Sequence, residues 1–454
     1  MRFPTTFAAS QLLAATVLIS ATTVAAAVPG RSLLASRDNG KIKPKVFIIS
    51  MFTPEAEQWY GIPEFDVLAN NITVPGFSPL FPDAHCTADG DICQLTTGES
   101  EINAAVTISS LVASPKFDLT TTYFLIAGIA GVNPEVATLG SVTFAKYAVQ
   151  VALQYEFDQR DLPANYTWGY IPQGSDSPNE YPQSIYGTEV FEVNENLRDI
   201  PRRIKAIALA STASLNDSTT AAAYRKHYTP DTAYAAATKP PSVHACDVAT
   251  SDVYYSGTIL SSGFGNYTSL LTNGSGTYCT TAQEDNATLE ALLRAALSPA
   301  AKAASGSTSA TTGLVDFSRI IVMRTASDFD RPYPGQSAPD NLLYADQGGF
   351  EPAIQNIYLA GVRVVRGIVD GWASAQGLGV RVGFQGGVAP RNYIGDIFGS
   401  LGGEPDFGPG SQFGGLPATA AEVALARLVK RGGMGAGRRT SLIRKGVPLP
   451  RRDL

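Results

Sequence analysis

Continuous apolar runs alternate along this 454-residue chain with segments that carry apolar residues at helical spacing. The runs VFIIS at 46–50, YFLIA at 123–127 and IIVM at 320–323 predict buried strands, because a strand covered on both faces is apolar throughout. Residues 141–154 alternate like a strand over much of their length, and 204–209 form one more short apolar run. The pattern therefore predicts a sheet with fully buried central strands.

Helical segments separate these strands. One helix is predicted to begin at Pro54, where the proline and the acidic residues of EAEQW mark a helix N-terminus. Further helices are predicted at 103–112, 287–297 and 351–371. Strands that alternate with helices indicate an α/β protein, in which helices cover both faces of a mostly parallel or mixed sheet. Ligands bind such sheets at the carboxyl ends of the strands, where the loops converge.

Composition narrows the class of partner. Hydrophobic residues make up 44% and charged residues 16% of the chain, which provides for a large core and a weakly charged surface. The formal net charge of -6 gives no reason to expect nucleic acid as a partner. Length alone allows two or three domains, but α/β folds with long insertions hold this much chain in one body. We expect one domain over residues 40–380.

The N-terminus has the features of a secretory signal peptide. Arg2 precedes an apolar, Ala- and Thr-rich stretch that ends in AAAVPG, and we assign residues 1–28 to a cleaved signal. The alternative is a retained membrane anchor, because the apolar stretch is roughly 18 residues long. Either way the protein is expected to be secreted or to lie at the cell surface.

Two further patterns agree with passage through the secretory pathway. Four cysteines suit two disulfides, and nearness in sequence favours Cys86 with Cys93 and Cys246 with Cys279 among the three possible pairings. The three histidines and these cysteines lack zinc-ligand spacing, so we expect neither a metal nor a cofactor. Acceptor tripeptides for N-glycosylation begin at six positions, of which one or two can arise by chance: Asn71, Asn165, Asn216, Asn266, Asn273 and Asn286.

Two segments are poor in structural signals. Residues 298–313 (SPAAKAASGSTSATTG) have the composition of a flexible insertion. From residue 402 the chain is glycine-rich and then strongly basic, ending RKGVPLPRRDL. We expect residues 402–454 to be a mobile tail rather than a domain.

Three strand ends carry candidate chemistry. SMFTPEAEQW places Glu55 and Glu57 beside a helix start, and LIAGIAGV contains Gly128 and Gly131, where the backbone must turn sharply or approach another group closely. RTASDFD follows the last buried run and offers charged side chains at Arg324 and Asp328 beside Ser327. Each feature also has an ordinary structural explanation, namely a helix-dipole acid, a tight turn and a cap. Their order along the chain favours a shared site.

The motifs resemble the nucleoside phosphorylase and nucleosidase fold. The similarity is carried by the strand and acidic helix start FIISMFTPEAEQW, by TGESEINAAVTISSL, by the AGIAG segment, by LGSVTFAKYAVQ and by VMRTASD, over roughly residues 45–155 and 279–371. PKVFIISMFTPEAEQW, TTGESEINAAVTI, FLIAGIAGVNPEVATLGSV and YEFDQRDLP also resemble the fungal purine nucleoside permease family almost across the chain before the tail. The resemblance implies a three-layer sandwich around a central mixed sheet.

The resemblance also implies roles for individual residues. Asp328 corresponds to the acid that hydrogen-bonds or protonates N7 of the purine, and Ser327 to its supporting neighbour. Glu284 corresponds to the glutamate that holds the ribose hydroxyls, although Gln283 stands where that motif has methionine, and Asp285 is an alternative. We expect Tyr155 and Phe157 to cover the base and Arg324 to neutralise neighbouring carboxylates.

The identity of the attacking group separates the possible reactions. Phosphorolysis needs arginines and a glycine-rich phosphate turn near the first strand, whereas ISMFTPEAE offers carboxylates, which repel phosphate. Hydrolysis fits better, with Glu55 or Glu57 activating water. Three functions for the same pocket stay open: a secreted purine nucleosidase, a nucleoside transport component, and a nucleoside-binding glycoprotein without catalysis. Adenosine, inosine and guanosine are the expected class of ligand.

Overall fold

The computed structural model describes residues 40–200, 215–298, 313–374, 383–390 and 395–401. The strands are β1 Val46–Ser50, β2 Asn70–Thr73, β3 Asp83–Cys86, β4 Ile92–Thr96, β5 Tyr123–Val132, β6 Val142–Ala145, β7 Tyr147–Gln150, β8 Gln154–Glu156, β9 Tyr170–Pro172, β10 Val190–Glu192, β11 Val243–Ala245, β12 Asp247–Thr250, β13 Tyr278–Ala282 and β14 Ile320–Phe329. The α-helices with both ends in these ranges are α1 Thr53–Glu57, α2 Glu101–Ala113, α3 Thr219–Tyr224, α4 Thr258–Leu271, α5 Asp285–Ala296 and α6 Phe350–Asp370.

Twelve of these strands form one mixed sheet. Its main order is β10-β7-β12-β13-β5-β1-β4-β3-β2, while β14 pairs with β5 and β6, and β6 pairs with β11. Strand β1 runs parallel to β4 and β5, and β14 runs parallel to β5, whereas β13 is antiparallel to β5. Strands β8 and β9 form a separate hairpin. The predicted α/β class with a central mixed sheet is confirmed.

Both faces of the sheet are covered. Along β1, Phe47 and Ile49 join a core that contains Ile108 of α2 and Leu292 of α5, and helices α2 and α5 pack against each other. The alternate residue Ile48 lies in a second core with residues of α6, which packs on β14 and β5. The side chains of β1 therefore divide between two helical layers, which explains why its sequence is apolar throughout.

Two predicted boundaries are wrong. The last buried strand was expected to end at Met323 and the strand that begins at Tyr123 to end at Ala127, but β14 continues to Phe329 and β5 to Val132. The extension forms because β14 and β5 pair residue by residue, with Arg324 opposite Gly128. Strand β6 pairs with the other edge of β14. Backbone hydrogen bonds on both sides thus hold charged residues and glycines inside strands.

Among the residues that the structure describes, no helix combines the length and the apolar composition that crossing a bilayer requires. Cys86 is disulfide-bonded to Cys93, and Cys246 to Cys279, as predicted. The expected signal at 1–28, the apolar run at 204–209 and the expected tail at 402–454 lie outside the described residues, as does nearly all of the insertion at 298–313.

The six glycosylation candidates differ in exposure. Asn71, Asn165 and Asn273 are exposed, and Asn216 and Asn266 are half-buried. Asn286 is 3% exposed, and its amide nitrogen donates to the carbonyl of Thr188 at 2.8 Å. A glycan on Asn286 is incompatible with this packing, because the acceptor nitrogen already lies inside the fold.

A candidate active site at the strand ends

Glu55 is a deeply buried acid of the candidate site. It lies on α1, just after β1, and is 1% exposed. Its two carboxylate oxygens accept hydrogen bonds from the backbone N–H groups of Met51 at 2.7 Å and Ile129 at 2.8 Å. Burial raises the pKa of Glu55 to about 8, although the Arg324 guanidinium and the two backbone donors act in the opposite direction. A group that titrates near neutral pH can accept and release a proton during a reaction.

The absence of a side chain at Gly128 makes room for this arrangement. A Cβ atom there would lie 2.0 Å from the Met51 methyl carbon, 2.5 Å from a Glu55 oxygen and 2.8 Å from an Arg324 nitrogen. Gly128 is therefore required for a close approach of side chains within a strand, which was one of the two alternatives that the sequence left open.

Arg324 holds the acids that follow β13. Its guanidinium donates to Asp285 at 2.9 and 3.2 Å, to Glu284 at 3.3 Å and to the carbonyl of Ile129 at 3.2 Å. Arg324 is 2% exposed, so these bonds replace its lost hydration and fix the position of both carboxylates. Arg324 thus forms ion pairs with two neighbouring carboxylates, Glu284 and Asp285.

The N-terminal end of α2 also contacts the acids of the candidate site. The backbone N–H of Ser100 donates to Glu284 at 3.0 Å, and the next N–H, of Glu101, donates to Asp252 at 2.9 Å. Ser100 has φ 78°, a conformation that costs energy for any residue except glycine, and it lies where backbone donors meet the buried acid Glu284 and the exposed acid Asp252. Burial and the charges of Asp252 and Glu284 raise the pKa of Glu101 to about 7, and Gln150 hydrogen-bonds its carboxylate.

Asp328 lies farther along β14 and is half-buried. The hydroxyl of Ser327 donates a hydrogen bond, and two acceptors lie within reach of it: Asp328 Oδ1 at 2.6 Å and the carbonyl oxygen of Ala130 at 3.0 Å. A Cβ at Gly131, the residue opposite, would lie 3.4 Å from the other Asp328 oxygen. Burial raises the pKa of Asp328 to about 6, partly offset by the Ser327 hydrogen bond. The structure therefore provides a partly accessible acid with a raised pKa.

Tyr254 is an aromatic neighbour of Asp328 that the sequence analysis missed. The negative charge of Asp328 is the largest cause that raises the pKa of the Tyr254 hydroxyl, ahead of burial, and Glu99 adds to it. Since 66% of Tyr254 is exposed, we attribute the shift to charge rather than to burial. Its position after β12, next to Asp252, was the available signal, because the loops at strand ends converge.

The remaining charges of the RTASDFDR segment are structural. Arg331 donates to Asp330 at 2.8 and 3.1 Å and to Glu135 at 3.0 Å. Tyr278 donates its hydroxyl to Asp330, and both members of the Asp330–Arg331 pair are at most 2% exposed. Asp328 is therefore the acid of this segment that is left for a ligand.

Three predicted site residues are exposed. Glu57 is exposed, since positions two apart on a helix do not face the same way and Glu55 takes the inward position. Tyr155, 46% exposed, accepts a hydrogen bond from the N–H of Gly174, and Phe157, 45% exposed, bonds through its backbone to Gly169. Both belong to the β8–β9 region, and their role in covering a base stays a prediction.

The site combines two separated acid centres. Asp328 with Ser327 forms one, and Glu55 with the Arg324-bound Glu284 and Asp285 forms the other. Within the described ranges, no three His, Cys, Asp or Glu side chains are grouped so as to hold a metal ion. Two acids with pKa values near 6 and 8 can transfer protons at two points of one small ligand.

These features define an α/β protein with a cluster of acidic side chains at the strand ends of a mixed sheet. The family model described as purine nucleoside permease matches residues 43–378. The chain belongs to the purine nucleoside permease family.

Two relatives support this assignment. The chain is 48% identical over 370 residues to a purine nucleoside permease of Candida albicans, covering 81% of this chain and 83% of that protein. It is 42% identical over 339 residues to a probable purine nucleoside permease of Schizosaccharomyces pombe, covering 73% of this chain and 90% of that protein.

A solved structure of lower similarity is that of the 5'-methylthioadenosine/S-adenosylhomocysteine nucleosidase from Neisseria meningitidis in complex with methylthio-immucillin-A. It is 13% identical, covers 72% of this chain and 99% of its own, and has a TM-score of 0.39. A TM-score this low carries no argument about the chemistry of the site.

Proposed function

We propose that this protein binds purine nucleosides at the strand-end site and cleaves the N-ribosyl bond with water. The observation that carries the proposal is the partly accessible Asp328, held by Ser327 at 2.6 Å and raised in pKa to about 6. Membership of the purine nucleoside permease family supports the class of ligand. The resemblance of VMRTASD to the nucleosidase motif supports the role of Asp328.

Asp328 acts on the base. When the bond between C1' of the ribose and N9 of the purine breaks, the bonding electrons remain on the base. A proton from Asp328 to N7 neutralises the charge that would otherwise develop on the leaving purine. Ser327 orients the carboxyl group, and Tyr254 provides an aromatic surface beside it. Acid catalysis requires the protonated form of Asp328, so its raised pKa increases the active fraction near neutral pH.

Glu284 and Glu55 act on the sugar and on water. The sugar becomes oxocarbenium-like as the bond breaks, and a nearby carboxylate stabilises that positive charge. Glu284 holds the ribose hydroxyls from a position fixed by Arg324 and the N–H of Ser100. Glu55 in its ionised form takes a proton from the attacking water, whose oxygen bonds to C1'. The products are free base and ribose.

Water is favoured over phosphate by the charge of the site. The guanidinium of Arg324 already bonds Asp285, Glu284 and a carbonyl oxygen, so it offers little to an additional anion. Glu284 lies in the same region, and Glu55 and Glu101 add negative charge there when they are ionised, which opposes the binding of phosphate. Phosphate binding normally needs several free donors.

We further propose that the protein works outside the plasma membrane, which two disulfide bonds support, since such bonds persist in oxidising compartments. The relatives' name, permease, favours a second candidate function, in which the chain is a nucleoside uptake component that binds without cleaving.

The test incubates the purified secreted protein with adenosine, inosine and guanosine, with and without phosphate, and separates nucleoside from base by chromatography. Release of base without phosphate is expected from the wild type and not from Asp328→Asn, in which the amide cannot donate an acidic proton. Base release only with phosphate would replace hydrolysis by phosphorolysis. Binding without any base would leave the uptake component.

A further inference from the structure

A hydrogen-bonded network of amide side chains borders the base end of the site, and the mechanism above does not use it. Asn341 is 2% exposed and lies in a π-helical turn, Asp340–Tyr344. Its amide nitrogen donates to the carbonyl of Phe329 at 2.9 Å, and Phe329 follows Asp328 directly. Gln347 accepts from the N–H of Phe329 at 2.7 Å and donates to Asn341 Oδ1 at 3.2 Å. The network is thus anchored on the backbone next to the acid.

These anchors determine the direction of every bond. A carbonyl only accepts, so Asn341 must present its nitrogen to Phe329 and its oxygen to Tyr224. The single proton of the Tyr224 hydroxyl therefore goes to Asn341 Oδ1 at 3.0 Å. The Tyr224 oxygen can then only accept, and Gln336 donates to it through Nε2 at 3.1 Å. Gln336 Oε1 also lies 3.2 Å from the Tyr224 oxygen, but it receives no proton there when the Tyr224 proton goes to Asn341. Oε1 and the second N–H of Gln336 are then available to another partner.

The network lies beside both groups that flank the proposed base position. The ring of Tyr224 stacks on that of Phe329, with centroids 6.4 Å apart and planes 19° apart. Burial, with a smaller contribution from the Asp328 charge, raises the pKa of the Tyr224 hydroxyl to about 12. Asn341 also donates to the hydroxyl of Ser256 at 3.0 Å, two residues after Tyr254. Gln336 is half-buried, so part of its side chain is accessible.

We propose that Gln336 recognises the group at C6 of the purine. The proposal rests on the function proposed above, in which Asp328 meets N7. N7 and the C6 substituent share one edge of the purine, so the residue that contacts C6 must lie next to the acid that contacts N7. The 6-amino group of adenosine is a donor, and the 6-oxo group of inosine is an acceptor. The free Oε1 and N–H of Gln336 satisfy either one.

The donor and acceptor groups of Gln336 predict that the wild type accepts both adenosine and inosine, and that a substitution of Gln336 changes the preference between them. The wild type is expected to take adenosine and inosine with kcat/KM values within about tenfold of each other. Gln336→Glu leaves an acceptor only, which suits the 6-amino group and opposes the 6-oxo group. The ratio of adenosine to inosine kcat/KM should rise at least tenfold, since an unmatched polar contact costs about that much or more. Gln336→Leu removes both partners and should lower both values without such a change in ratio.

The experiment measures kcat/KM and the dissociation constant for both nucleosides on the wild type and these two variants. The matched control is Gln355→Glu. Gln355 is exposed on α6, and its Oε1 accepts a hydrogen bond from Asn216. The ratio of adenosine to inosine kcat/KM in this variant should equal that of the wild type. Tyr224→Phe, which removes the hydroxyl that orients Gln336 but keeps the ring, should weaken both nucleosides.

The outcomes separate this inference from the proposed function. If Gln336→Glu releases base normally and keeps the wild-type ratio of adenosine to inosine kcat/KM, the role of Gln336 is overturned and the proposed reaction is not affected. Binding of both nucleosides without release of base would refute cleavage, and the ratio of dissociation constants would then test Gln336 alone. A wild type that binds neither nucleoside would overturn both.

Discussion

Replacing Glu55 by glutamine isolates the free energy of a carboxyl group buried in the candidate site. Burial raises the pKa of Glu55 from 4.5 to about 8. Between these values the folded protein keeps a proton on Glu55 that the unfolded chain has lost, so the folded state binds more protons. Stability contributed by this group therefore falls as pH rises from the unfolded pKa to the folded pKa. Glutamine cannot ionise and does not show this loss.

The magnitude follows from the size of the shift. One pKa unit corresponds to about 1.4 kcal/mol, so the loss approaches about 5 kcal/mol above pH 8. The same linkage gives a loss of about 1 kcal/mol at pH 5 and about 3 kcal/mol at pH 7. The free energy of unfolding of Glu55→Gln relative to the wild type should thus increase by roughly 2 kcal/mol between these two pH values. If glutamine leaves the N–H of Met51 or Ile129 without an acceptor, the free-energy cost is the same at both pH values and cancels from the difference.

Equilibrium urea unfolding at pH 5 and pH 7 measures this difference. Glu57→Gln is the matched control, because Glu57 is two residues away on the same helix and exposed, and its difference from the wild type should not depend on pH. A Glu55→Gln difference that is equal at both pH values would refute the burial of an abnormal carboxyl group at this position.

Two further predictions concern the neighbouring residues. Ser327→Ala removes the hydroxyl that stabilises ionised Asp328, so the pKa of Asp328 should rise. The decline of kcat/KM at high pH should then begin at a higher pH. A pH–rate profile measures this shift, and a profile equal to that of the wild type would contradict the prediction. Arg324→Met leaves two buried carboxylates without their cation and should destabilise the fold by about 3–5 kcal/mol. Urea unfolding at pH 7 measures the change. A decrease in the free energy of unfolding below about 1 kcal/mol, the scale of exposed ion pairs, would contradict the burial of this cluster.

The fold class could be predicted because buried strands are apolar throughout, as β1 is. The boundary at Met323 failed for a physical reason. A charged residue usually ends a buried strand, but Arg324 is compensated by Glu284 and Asp285, which lie at the N-terminal end of α5, about forty positions away in sequence. Such compensation cannot be seen in a local sequence window.

The candidate site was predictable in part. Glu55, Asp328 and Glu284 stand at ends of predicted elements, where α/β proteins place ligands. The contacts of Ser100 with Glu284 and of Glu101 with Asp252 join segments about 150 residues or more apart, and no spacing rule predicts them. Tyr254, whose hydroxyl feels the charge of Asp328, was missed for the same reason.

The most direct test of the central claim is to incubate the wild type with inosine in 18O-labelled water, without phosphate, and to analyse the base and the sugar by mass spectrometry. The account predicts free hypoxanthine and ribose that carries one 18O atom at C1', with no release of base by Asp328→Asn. Intact inosine after incubation with the wild type, or unlabelled sugar, would contradict hydrolysis at this site.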